Sequence, residues 1–257
     1  MPTLILAFEG PMQAWGSGSK FDTRQTENIP TKSGVIGMIG SAMGRKRGES
    51  LEDLNELKLT IRVDQPGRKV TDLQTMKVSG VKDLYLGRKV YLSDAKFLVC
   101  LSHPDQAFLE AIQDALNHPI YPISLGRRNC VPTGNLVRGI KAEDGTEVVK
   151  TFPWLAQSDD KKNKKNYSQP FSNPSSLPVF VEGKAGFRQF RMKDHPVSFD
   201  RKNRQYQTRV FSETAPIKTD SLNQNSAKIA QDHLAASNPS QDSADIDFFK
   251  EACNVSE

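Results

Sequence analysis

Apolar and polar positions divide the chain into a strongly patterned first part and a looser remainder. Thr3–Phe8 is a short apolar run rich in Leu and Ile, closed by Gly10-Pro11, and predicts a buried strand. The segment GSGSKFDTRQTENIP follows, too rich in Gly, Ser and charge for regular structure. After Pro30 the period changes to that of a helix. Thr31 or Ser33 can serve as its N-cap, and Val35, Ile36, Ile39, Ala42 and Met43 form one face. Gly37, Gly40 and Gly44 each cost about 1 kcal/mol of helix propensity relative to Ala. Such a helix needs close packing, either on its own sheet or against another backbone or ligand. Ser50–Leu57 predicts a short helix, with Ser50 and Asp53 as a capping pair, and Leu59, Ile61 and Val63 alternate as a strand.

From Pro66 to Leu92 the pattern is polar and basic, with β-prone pieces around Val70 and Met76–Val81. This is too long for an ordinary loop and predicts an inserted hairpin or arm. Lys96–Leu101 reads as a strand. Pro104–Leu116 reads as an amphipathic helix with Phe108, Leu109, Ile112 and Leu116 on one face. Ile120–Leu125 and Leu136–Ile140 predict strands on either side of Gly126-Arg127-Arg128-Asn129-Cys130. The order is β-α-β-β-α-β, so the expected fold class is α+β and ferredoxin-like over residues 1–150, with an insertion at about 66–92. Residues 151–216 read as a smaller C-terminal β region, with strands at Val179–Val181 and Phe187–Met192. Residues 217–257 read as a polar, acidic tail, disordered or weakly helical.

Charge sharpens this picture. The formal net charge is +5, but the chain from Ile217 onward carries three lysines against seven acids. That is −4 in the tail and +9 in the body, a balance that points to a polyanionic partner. No apolar run is long enough to span a bilayer, and the start reads as a strand rather than a signal peptide. Cys100, Cys130 and Cys253 form no CxxC pair, which disfavours a zinc ribbon or a disulfide framework and suits a reducing cytoplasm. Cys100 reads as a buried small hydrophobe.

Candidate chemistry is sparse. His103, His118, His195 and His233 show no metal-ligand spacing, no phosphate-cradling loop is present, and nothing calls for a metal or cofactor. Tyr85, Lys89, Tyr91 and His118 are the groups available for acid–base work on RNA, without a local motif to arrange them. Basic residues are better placed for phosphate: Lys32, Arg45, Lys46 and Arg47 around the first helix, and Arg127 and Arg128 after Gly126. Trp15 and Phe21 either stack on a splayed base or, for Trp15, plug the core beneath the loop.

Three motifs occur in order: Gly10-Pro11-Met12-Gln13-Ala14-Trp15-Gly16, then Pro30-Thr31-Lys32-Ser33-Gly34 with Gly37 and Gly40, then Leu125-Gly126-Arg127-Arg128-Asn129-Cys130-Val131-Pro132. Over about residues 1–216 this set closely resembles the CasD family of CRISPR-associated proteins, which is Cas family five in its type I-E form, within the RAMP superfamily. The resemblance implies an RRM-related ferredoxin-like domain with a β-hairpin thumb and a small C-terminal β part. It implies a subunit of the Cascade surveillance complex that caps the five-prime handle of the crRNA and touches backbone and large subunits. Target DNA is then met through the assembled complex. Carried over residue by residue, Met12, Gln13, Ala14 and Trp15 line the handle site. Thr31, Lys32 and Ser33 offer phosphate a hydroxyl, an amine and helix-start N–H groups, and Arg127 and Arg128 hold the handle or a neighbouring strand. The resemblance is to the non-cutting form of the family. Two alternatives are a metal-independent endoribonuclease acting on CRISPR repeats and an adaptor that touches only protein.

Overall fold

The computed structural model describes residues 1–16, 23–77, 84–156, 174–220 and 222. Phe21, Val78–Val81, the lysine-rich run at 158–166, His233, Cys253 and nearly all of the tail lie outside the described residues. In chain order the elements are β1 (Thr3–Glu9), β2 (Met12–Gln13), β3 (Thr23–Arg24), α1 (Lys32–Ala42), α2 (Glu52–Asn55), β4 (Lys58–Gln65), β5 (Arg68–Lys77) and β6 (Leu84–Ser93). Then follow β7 (Lys96–Ser102), α3 (Gln106–Asn117), β8 (Val137–Lys141), α4 (Gly145–Thr151), β9 (Ser176–Glu182), β10 (Arg188–Ser198) and β11 (Gln205–Lys218).

Seven strands form one sheet in the order β10-β11-β9-β4-β7-β1-β8. Strand β1 pairs antiparallel with β7 on one side and β8 on the other, and β4 bridges β7 to β9 antiparallel. The strands after residue 175 thus extend the same sheet past β4. Both faces of its centre are covered, which explains why β1 is apolar throughout instead of alternating. Leu4, Leu6, Phe8, Leu59, Ile61 and Val63 face α1 and α3 in the main core, while Ile5, Leu98 and Cys100 face Val148 and Val149 of α4. Burial pushes the Cys100 thiol up to about 12, so it remains a protonated core side chain.

The second face of β4 carries a buried charged clamp. Arg62 Nε and Nη2 donate to the two carboxylate oxygens of Asp64 at 2.6 and 2.8 Å. Its remaining donors go to the carbonyls of Val149, Phe152 and Pro153, at 2.6, 2.7 and 2.8 Å, where α4 ends. Asp64 also accepts from the N–H of Leu155, and its carbonyl accepts from the Trp154 indole. Every guanidinium donor has an acceptor, the condition under which a buried ion pair is tolerated. The clamp holds the chain leaving α4 on the sheet, where Trp154, Leu177 and Leu222 form a satellite cluster.

Several expectations change. Residues 120–125 form no strand; prolines at 119 and 122 remove ladder donors, and Ile120 and Tyr121 are exposed. The expected capping pair does not form: Asp53 is taken by Arg45, and α2 shrinks to four residues. Among the described residues no other backbone approaches the glycines of this segment: Trp15 lies against Gly34 and Phe199 against Gly37, a Cβ at Gly40 would meet nothing within 4 Å, and Gly44, just past α1, faces Ile120. The long polar segment, by contrast, does hold the paired strands expected of an inserted hairpin, β5 antiparallel with β6 from Arg68↔Ser93 to Lys77↔Leu84. Strand β11 continues through Lys218, and Leu222 is buried, so order persists past the expected start of the tail at 217.

Candidate nucleic-acid interface

The three sequence motifs pack onto one another. Met12 and Gln13 form β2 and pair with Ser93 and Leu92 at the base of the hairpin. The Gln13 side chain is buried; its amide donates to the carbonyls of Phe8 and Ala95 at 3.1 and 2.7 Å, and its oxygen accepts from the Trp15 indole at 3.1 Å. Trp15 is fully buried and stacks on Phe8, with ring centroids 5.4 Å apart. A Cβ at Gly34 would lie 2.8 Å from the Trp15 ring, so the first motif fills the space that the second leaves. Ala14 is buried too, and its carbonyl would sit 1.8 Å from a Cβ on Gly126. Gly126 has φ +93, which L side chains rarely adopt. Trp15 therefore plugs the core, and the spacing that marks the motifs reflects internal contact.

The start of α1 is already occupied. Thr31 is the N-cap, its hydroxyl accepting from Gly34 N at 3.3 Å. The Lys32 N–H donates to the Asp194 carboxylate at 2.8 Å, and Arg209 grips that carboxylate through two bonds of 2.8 and 2.9 Å. Lys32 Nζ is buried against Glu182 at 2.8 Å and the Asn55 carbonyl at 2.9 Å. Ser33 is half-buried. A carboxylate of the chain itself thus sits where a helix N-terminus favours an anion. Beside it, burial and then the charge of Lys32 hold the His195 imidazole below its ordinary pKa.

Arg45 and Lys46 lie at the other end of α1, about 16 Å from Thr31 by the helical rise. Arg45 is paired with Asp53, whose carboxyl it holds below the usual carboxylate range, while Lys46 is exposed. Arg127 braces three segments. Its guanidinium donates to the carbonyls of Val90 at 2.9 Å, Arg24 at 2.9 Å and Gln25 at 3.2 Å, and lies 4.6 Å from the centre of the Tyr91 ring. Arg128 next to it is exposed. Strand β3 pairs parallel with β6, Thr23 opposite Arg88 and Arg24 opposite Lys89. Basic residues thus lie where β3, the middle of β6 and the loop after Gly126 meet: Arg24 opposite Lys89, Arg88 next to it on the other face of β6, and Arg127 bonded to Val90 with Arg128 following, while half-buried Met12 sits nearer the hairpin base. The sequence reading missed Arg24 and Arg88; the only signal was a basic residue in each of two segments whose pairing is non-local.

The acid–base candidates do not converge. The Tyr91 hydroxyl accepts from Asn129 at 3.0 Å, Lys89 is bonded to Gln74, and His118 sits beyond the end of α3 beside Asp114. The side chain of Tyr85 is outside the described set. Among the described residues no cluster of His, Cys, Asp and Glu has the makings of a metal site, and no helix is long and apolar enough to cross a membrane.

Comparison with known proteins follows the same lines. The family model described as CRISPR-associated protein (Cas_Cas5) matches residues 3–212. The CRISPR system Cascade subunit CasD of Escherichia coli (strain K12) is 33% identical over 159 residues, spanning 53% of this chain and 70% of that protein. A solved chain described as a CRISPR RNA-guided surveillance complex superposes with a TM-score of 0.68 at 29% identity, covering 87% of this chain and 98% of its own. Another, described as a Cas protein, gives a TM-score of 0.64 at 29% identity, covering 86% and 97%.

Proposed function

The chain belongs to the Cas5 family of CRISPR-associated proteins, and from that premise we propose that it is a non-catalytic crRNA-binding subunit of a Cascade complex, capping the five-prime handle of the guide RNA in antiviral defence. The observation that carries the reading is the set of basic residues where β3, β6 and the loop after Gly126 meet, Arg24, Arg88, Lys89, Arg127 and Arg128, on a chain of this family. Phosphate oxygens of the handle meet Arg128, Arg24 and Arg88, which are exposed. Arg127 sets the loop that presents Arg128. Gln13, Ala14, Trp15 and Thr31 act one step back, as the rigid floor under that surface, and Met12 is the member of its motif left open to the RNA. Lys32 and Ser33 fix the start of α1, and Lys46 contributes a more distant positive charge.

On this reading β1-α1-β4-β7-α3-β8, with strand order β4-β7-β1-β8 and both long helices packed in one core, is the ferredoxin-like unit. The β5–β6 hairpin is the thumb, and β9–β11 are the C-terminal β part. The thumb's exposed Val70, Leu73 and Leu86 suit contact with a neighbouring subunit. Partners are the backbone and large subunits of the cytoplasmic complex, and target sequence is read by guide pairing. The engaged states of Tyr91 and Lys89 support binding over cleavage.

The test is binding of the purified chain to RNA carrying the repeat-derived handle and to a scrambled control, in EDTA, with salt varied. The expected result is tighter, steeply salt-dependent binding of the handle with the RNA intact. Equal binding of both RNAs, or discrete cleavage of the repeat, overturns the proposal.

A further inference from the structure

The opposite edge of the sheet carries a second array that the handle reading does not use. Strand β10 is the sheet's outer strand, paired only with β11. Its alternation separates two faces. Phe190 and Met192 pack on the main core and Asp194 is buried, whereas Gln189, Arg191 and Lys193 are exposed. Phe187 lies just before the strand; its N–H donates to the carbonyl of Glu213, the residue that Arg188 faces in the ladder, at 3.0 Å, so the ladder ends there in a bulge-like turn with Phe187 at the end of the exposed row. Phe187 is 70% exposed, the most exposed large hydrophobic side chain among the described residues.

The backbone that carries the ring is held in place. A Cβ at Gly186 would lie 2.1 Å from the Glu213 carbonyl oxygen, so the turn before Phe187 is pressed against β11 and only glycine fits. Positive charge predominates around the ring. Lys184, Arg188, Arg191 and Lys193 are exposed, and none has an acidic partner among the described residues. Of the acids of the strand pair and its turn, Asp194 is held by Arg209, Asp200 accepts from the Lys202 N–H, and half-buried Glu213 lies opposite Arg188 in the ladder. Elsewhere in the sheet Arg62, Lys96 and Arg138 have carboxylate partners. A predominantly basic row beside an exposed aromatic ring suits a polyanion that also has π-faces.

We propose that the outward face of β10 binds a single-stranded nucleic acid, one base stacking on Phe187 while Arg191 and Lys193, two residues apart on the same face, take successive phosphates. Lys184, in the turn before the ring, adds positive charge near the stacked base. A duplex fits less well because its bases are already stacked and its phosphates would meet the row without engaging the ring. With six strand spacings between β10 and β8, the surface lies roughly 29 Å from the sheet edge that the Arg127–Arg128 loop leads into. It does not depend on the handle assignment.

The experiment is fluorescence anisotropy of a labelled 15-nucleotide oligothymidine with the full chain, over a series of KCl concentrations. Phe187→Ala weakens binding at least about fivefold at fixed salt, and Phe187→Trp restores it. The pair Arg191→Gln and Lys193→Gln lowers the log–log salt slope by about 1.4, two single-strand phosphates' worth. Phe187, Arg191 and Lys193 are exposed, so an unchanged thermal midpoint accompanies each change. The proposal is overturned if the wild-type chain ignores oligothymidine, if Phe187→Ala binds it as tightly as wild type, or if a duplex of equal length binds more tightly with no response to Phe187→Ala.

Discussion

The adjacent arginines of the LGRRNC motif should separate cleanly into a brace and a contact. Arg127→Ala removes three donated bonds and the stack on Tyr91. The carbonyls of Arg24 and Gln25 lie at exposed positions and regain water, so their loss costs little. The bond to Val90 is partly buried, and a charge-assisted bond of that kind contributes about 1.5–3 kcal/mol. The cation–π contact adds about 0.5–1 kcal/mol. Arg127→Ala should therefore destabilise the chain by about 2–4 kcal/mol. Arg128 is exposed with no such partners, so Arg128→Ala should stay within about 0.5 kcal/mol of wild type. Arg127→Lys should recover less than half of the loss, because one ammonium cannot span three carbonyls. Urea unfolding followed by circular dichroism measures this as a lower midpoint at unchanged slope. Equal midpoints for Arg127→Ala and wild type, or equal losses in the two alanine variants, would refute the division of roles.

Two further outcomes follow from buried charge. Arg62→Met leaves Asp64 buried with little more than the Leu155 N–H and strips three carbonyls at the end of α4, so it should cost about 3–5 kcal/mol; the double change to Arg62→Met with Asp64→Leu should recover much of it, and a double variant no better than the single one counts against the clamp. His195 has its folded pKa depressed by burial and then by Lys32, so the folded state binds fewer protons than the unfolded one near pH 6.5. Stability contributed by the neutral imidazole is present above that value and falls as the pH drops through it. The thermal midpoint of wild type should therefore fall more between about pH 7.5 and 5.5 than that of His195→Gln; parallel curves refute the assignment.

The elements with strong periodicity were legible. Strand β1, helix α3 and the alternating face of β4 follow from apolar spacing alone, and the long polar segment announced a hairpin by its length. Strand β11 was missed, although it pairs with two neighbours over fourteen residues, because it carries polar residues on both faces and owes its place to the backbone ladder. The roles within the motifs were the harder problem. Lys32 reads as a free cation in sequence, but its N–H partner lies 162 residues away and its ammonium partner 150 residues away. Trp15 reads as a loop aromatic, and its burial depends on the space left by Gly34. Residue spacing marks such positions as special. Whether they face solvent or protein is decided by contacts distant in the chain.

The most direct test of the central claim is protection of the guide RNA in a Cascade complex assembled with and without this chain, probed by nuclease digestion of RNA labelled at its five-prime end. The account predicts that the chain shields the repeat-derived handle and leaves it uncut, that omission opens the handle selectively, and that reversing Arg128 to Glu partly does the same. A handle equally protected without the chain, or protection that appears only along the spacer, would contradict it.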